Sequence, residues 1–152
     1  MGSKNWKIHT LNMGVQAGRL RSYFPDSSVQ YTQNKLTWTG DITPSPLSDT
    51  YTVKVKYVRG KNPNVYVMNP KLPFASGETC LPHVYSTPKQ WLCIYHRKSK
   101  EWNSGMALVD SVLPWTSEWL LHYEIWLVTG EWHGGGIEHG TELEKSKTST
   151  NE

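Results

Sequence analysis

The stretch KLTWTGDITPSPLSDTYTVKVKY (residues 35–57) decides the fold class. In its first part Leu36, Trp38 and Ile42 fall on one side, and Lys35, Thr37, Thr39 and Asp41 on the other. In its last part Tyr51, Val53, Val55 and Tyr57 alternate with Thr52, Lys54 and Lys56. Strict period-two alternation marks strands with one packed face and one wet face. The Pro- and Ser-rich segment between them, TPSPLSD (43–49), is turn chemistry. Two antiparallel neighbours are expected. Working outward, VQYTQ (29–33) and VYVM (65–68) add a strand on each side. The result is a four-stranded antiparallel meander.

The flanks complete an α+β reading. Residues 8–23 place Leu11, Val15 and Leu20 at helical spacing, and Pro25 ends that helix before Phe24. Residues 69–90 are too rich in Pro for a helix and argue against a regular strand. Such a segment exceeds the length of an ordinary connector, which is about 12–15 residues at most. Its Leu72, Phe74, Leu81, Val84 and Tyr85 argue for packing. The apolar run WLCIY (91–95) closes it. In PWTSEWLLHYEIWLVTG (114–130), Trp115, Trp119, Tyr123, Trp126 and Leu127 recur at helical steps. Pro114 suits the first turn, Thr116 or Ser117 can cap, and Gly130 is a natural stop. Residues 1–140 read as one domain and 141–152 as a frayed polar tail.

Composition narrows the function classes. The chain has 152 residues, close to the length of one domain, and a formal charge of +3. That charge is too small to argue for nucleic acid. Lys54, Lys56, Arg59 and Lys61 form a modest basic face that could dock an acidic partner. No apolar run nears the roughly 18 residues of a membrane span, and no secretory signal is evident. A cytoplasmic location is expected. Two cysteines do not make a disulfide framework. Gly134-Gly135-Gly136 follows a helix instead of opening one, which makes it a poor phosphate cradle. Of the eight Trp, the residues at 38, 119 and 126 sit on apolar faces and read as core.

Two chemistries compete for the remaining residues. Cys93 is followed by His96, Arg97, Lys98 and Lys100, and cations nearby favour a thiolate. His83 lies ten positions before it and serves either proton transfer or loop support. Alternatively, Cys80-x-x-His83 and Cys93-x-x-His96 form a complete tetrahedral zinc set. Strand alternation opposes that set, because it points positions 93 and 96 to opposite faces.

The order of these features resembles a ubiquitin-conjugating enzyme of the UBC-like fold: helix, meander, Pro-rich loop with a His, Cys, Trp, then helices. KLTWTGDITPSPLSDTYTVKVKY is similar to that family's second and third strands. NPKLPF and LPHVY resemble the stretch bearing its His-Pro-Asn motif. His83 falls on the motif His and Cys93 on the active-site Cys. Trp102 falls within one position of the family's later Trp. Val84 and Tyr85 stand where the family has Pro and Asn. The segment PWTSEWLLHYEIWLVTGEWHGGG resembles the stand-alone bacterial ubiquitin-conjugating-like proteins of CBASS-type antiphage operons.

The resemblance implies a thioester on Cys93 with the C-terminal glycine of a partner, and its transfer to an amine. The partner it implies is a cGAS-like nucleotidyltransferase or a ubiquitin-like protein, with a possible activating enzyme and no small cofactor. Tyr85, or the backbone around it, becomes the candidate oxyanion donor in place of Asn, with His96 and Asn103 as further candidates. The competing class is a binding module with the same fold and no chemistry.

Overall fold

A computed structural model describes residues 9–95 and 101–134. The elements run α1 (Met13–Tyr23), β1 (Ser28–Tyr31), β2 (Lys35–Ile42), β3 (Tyr51–Val58), β4 (Asn64–Asn69), β5 (Val84–Ser86), β6 (Trp91–Leu92), a 3-10 turn (Leu108–Asp110) and α2 (Val112–Thr129). The fold is α+β: an N-terminal helix, an antiparallel sheet and a C-terminal helix.

Alternation positions the sheet as expected. Leu36, Trp38 and Ile42 of β2 are buried, as are Tyr51, Val53, Val55 and Tyr57 of β3. Trp38 stands opposite Val55, and Leu36 opposite Tyr57. Trp119 and Trp126 are buried as well, which makes them core residues along with Trp38.

The sheet has six strands, in the order β1-β2-β3-β4-β6-β5, where the sequence predicted four. The extra two come from the Pro-rich loop and the run that closes it. β5 and β6 have three and two residues, with a register break between Val84 and Ser86. Pieces this short show no periodicity, and an edge position tolerates Pro on either side of β5.

Both helices differ from expectation at their N-termini. α1 begins at Met13 and not at residue 8, because Asn12 caps it by accepting from the Val15 N–H at 2.8 Å. The Phe24 N–H reaches the Leu20 carbonyl, so the helix ends before Pro25 as predicted. α2 starts at Val112 after Ser111, and neither Thr116 nor Ser117 caps it. Thr116 is buried and donates back to the Val112 carbonyl at 2.7 Å. Pro114 still lies in the first turn, where its missing N–H removes no helical bond. Gly130 ends α2 in the left-handed conformation, as expected.

Two polar ties lock the layers. Gln16 of α1 is buried, donates to the Met106 carbonyl and accepts from the Leu108 N–H. On α2, Glu124 accepts from the Ser48 hydroxyl, the Asp49 N–H and the Tyr51 hydroxyl. These bonds fasten the 43–50 turn to α2. Burial first, and then Glu124, raises the Tyr51 phenol well above its ordinary pKa. Burial likewise raises Tyr123, whose hydroxyl donates to the Pro73 carbonyl at 2.5 Å. α2 thus holds both the turn and the Pro-rich loop.

Candidate functional site

Cys93 follows directly on β6, at the inner end of the Pro-rich loop. Its backbone N–H donates to the His83 carbonyl at 3.0 Å. The same carbonyl accepts the Trp119 indole N–H at 2.9 Å. One carbonyl therefore fixes the cysteine backbone to α2. His83 can present it because its backbone sits at φ 46°, the left-handed region that His visits only occasionally. Cys93 as a residue is 9% exposed, and its thiol donates to the Tyr95 carbonyl at 3.6 Å. The Tyr95 hydroxyl in turn donates to the Pro63 carbonyl at 2.8 Å.

Cys93 lines a cleft of about 360 Å³ with His83, Ile94, Trp115, Glu118, Trp119, His122 and Trp132. Four of these come from α2. Trp115, Glu118, Trp119 and His122 follow steps of three and four, so they share one helix face. Beyond Gly130 the chain turns back and brings Trp132 to the same cleft. Its ring stacks on His83 at 4.8 Å and 20°, and lies 5.5 Å from Trp119 and 5.8 Å from His122. Gly134 closes over this ring: a Cβ there would come within 2.6 Å of Trp132 Nε1 and 3.0 Å of His122 Cδ2.

The structure brings His83 and Cys93 together, as the sequence suggested. Of the other predicted site residues, Tyr85, Trp102 and Asn103 do not line this cleft. The Tyr85 ring packs on Trp91 at 4.8 Å, and Trp91 stacks on Tyr66 at 6.0 Å. Lys56, on the basic strand face, adds its ammonium 5.4 Å from the Tyr66 ring. Trp102 is buried edge-on against Tyr57 at 5.2 Å, and Asn103 lies beside it on a separate concavity. His96 lies outside the described residues, as do Gly135 and the predicted tail.

The zinc reading does not fit. Cys80, His83 and Cys93 would supply three of its four ligands, and all three are described. Among the described residues no three His, Cys, Asp or Glu side chains converge as a metal requires. Neither Cys80 nor Cys93 forms a disulfide among the described residues.

Sequence reasoning missed Glu118 and His122. The signal was present, since both fall on the helical face defined by Trp115 and Trp119. Among the described residues no helix is long and apolar enough to cross a membrane.

The family model of type II CBASS E2 proteins matches residues 16–140, which include Cys93 and every residue of its cleft. No curated protein matches the chain. The match spans most of the sequence and agrees with the resemblance carried by His83, Cys93 and the Trp-rich C-terminal segment: the chain belongs to the type II CBASS E2 family, ubiquitin-conjugating-like proteins of CBASS antiphage defence.

Proposed function

We propose that Cys93 carries the C-terminal glycine of a partner protein as a thioester and passes it to an amine. The partner we assign is the cGAS-like nucleotidyltransferase of the same defence system, with a ubiquitin-like protein as the second choice. The observation that carries this reading is the cleft at Cys93, a cysteine that lines a concavity and is anchored there by its own backbone N–H. Thiolate attack on an activated carboxyl forms the C–S bond and expels the activating group. Amine attack then forms the amide, and the C–S electron pair returns to sulfur. ATP would be spent by an activating partner.

One observation favours the alternative of a binding module without chemistry. Cys93 is 9% exposed and its Sγ is turned to the Tyr95 carbonyl, an arrangement that also suits a structural cysteine. The two readings separate by intact mass. The protein is purified with its operon partners and weighed before and after treatment with excess thiol. A thiol-labile adduct is expected, absent from Cys93→Ala and retained in Cys80→Ala. No adduct on the native protein, or one that persists in Cys93→Ala, would overturn the transfer reading.

A further inference from the structure

We propose that His122 accepts the proton of the amine that discharges the Cys93 thioester. This rests on the transfer reading above and names the residue that performs its second step. His122 is half-buried on α2, one turn after Glu118, and both line the cleft with Cys93. Its Nδ1 is closed off from solvent and has no hydrogen-bond partner among the described residues. A shielded imidazole nitrogen without a partner is an exception in folded proteins and calls for a use.

The chemistry supplies that use. When an amine adds to the thioester carbonyl, the new C–N bond leaves a proton too many on nitrogen. Unless that proton departs, the amine is readily expelled again. Imidazole is the side chain whose ordinary proton affinity suits the transfer near neutrality. His122 takes the proton, the carbonyl re-forms, and the C–S bond breaks with its electron pair going to Cys93. The sulfur then recovers a proton from the imidazolium, leaving an amide and a thiol.

His83 is the rival imidazole, and its geometry suits support. It is 7% exposed, its ring lies flat on Trp132, and its carbonyl holds both Cys93 and Trp119. Glu118 is exposed at the cleft, where its carboxylate can draw in a lysine ammonium and steady the imidazolium. Among the described residues that line the cleft, the other titratable groups are Glu118 on the same helix and His83 and Cys93 on the loop side.

The test separates loading from discharge. The full chain is loaded by exchange with a synthetic peptide thioester ending in Gly-Gly, then mixed with free lysine, and single-turnover loss of the adduct is followed. His122→Gln is expected still to load and, once loaded, to discharge roughly 100-fold more slowly than the native protein. Its rate should also respond to pH differently from that of the native protein between about pH 5 and 8, where imidazole side chains change charge. Added imidazole should partly restore His122→Ala, which a merely structural defect would not allow. Native discharge by His122→Gln, or an unchanged pH profile, overturns the assignment to His122 and leaves thioester formation standing. A native protein that never loads refutes the transfer reading itself, and the role of His122 with it.

Discussion

Replacing Trp132 with alanine should uncover Cys93. Trp132 makes three ring contacts around the cleft, with His83, Trp119 and His122. Aromatic pairs of this kind contribute about 0.5–1.5 kcal/mol each beyond area burial. Truncating a fully buried Trp costs about 3–5 kcal/mol. Trp132 is half-buried, so about 2 kcal/mol is the figure to expect for closure of the 131–134 segment. At about 1.4 kcal/mol per tenfold, that is roughly a 30-fold rise in the open population. Where opening and closing are fast, the reaction rate of a shielded group follows that population.

The assay is alkylation by iodoacetamide at limiting reagent, with each cysteine quantified by peptide mass. Cys80 is the internal reference, since it is partly exposed and does not line the cleft. General loosening of the fold would accelerate both thiols. Loss of a local cover would accelerate Cys93 alone, by about 30-fold relative to Cys80. Trp132→Phe keeps one ring in place and should fall between the two. An unchanged ratio of Cys93 to Cys80 in Trp132→Ala would refute the idea that this ring shields the thiol.

Two further substitutions probe the scaffold. Gly40→Ala in β2 would place its Cβ 2.4 Å from Trp38 Cζ2 and 2.8 Å from Ser27 Cβ. The Trp38 ring cannot retreat without breaking its 2.8 Å bond to the Ser27 hydroxyl, so overpacking should cost about 1–3 kcal/mol. Urea unfolding reads this directly, and an unchanged midpoint would contradict it. Glu124→Gln leaves one acceptor for the three donors gathered by Glu124. A loss of about 1–2 kcal/mol is expected at neutral pH, with increased proteolysis in the 43–50 turn; full stability would show that the tie is idle.

How far the sequence could be read follows from which signals repeat. The strands at 35–42 and 51–58 each have eight residues, enough for four inward positions to declare a face. β5 and β6 have too few residues to show a period, and what makes them strands is pairing: Val65 opposite Leu92, and Leu92 opposite Val84. No local pattern carries that information. The start of α2 was misplaced for a related reason. Pro114 and the Thr-Ser pair after it resemble a helix entry, but the entry is made upstream, where the Ser111 hydroxyl bonds the Ala107 carbonyl and no side chain caps.

The candidate site divides along the same line. His83 and Cys93 were legible because their separation along the chain is itself the pattern, and two antiparallel strands bring them together. Tyr85 was chosen for its place in a motif. Two residues on from His83 along an irregular edge strand, its ring meets Trp91 and not the cleft. His122 lay within the most periodic segment of the chain and was still passed over. The reading of residues 114–130 took the aromatic stripe for packing, used the polar residues at its start only as helix-entry signals, and asked nothing of His122. On an amphipathic helix, a Glu and a His one turn apart beside two Trp cannot all point into an apolar interior, because burying both without partners is too costly. That face must therefore leave the core along its length. Trp119, 4% exposed, serves both sides: it packs in the core and donates to the carbonyl that anchors Cys93. The place where an apolar stripe turns polar within one helix is thus a signal for a cleft, and here it leads to His122.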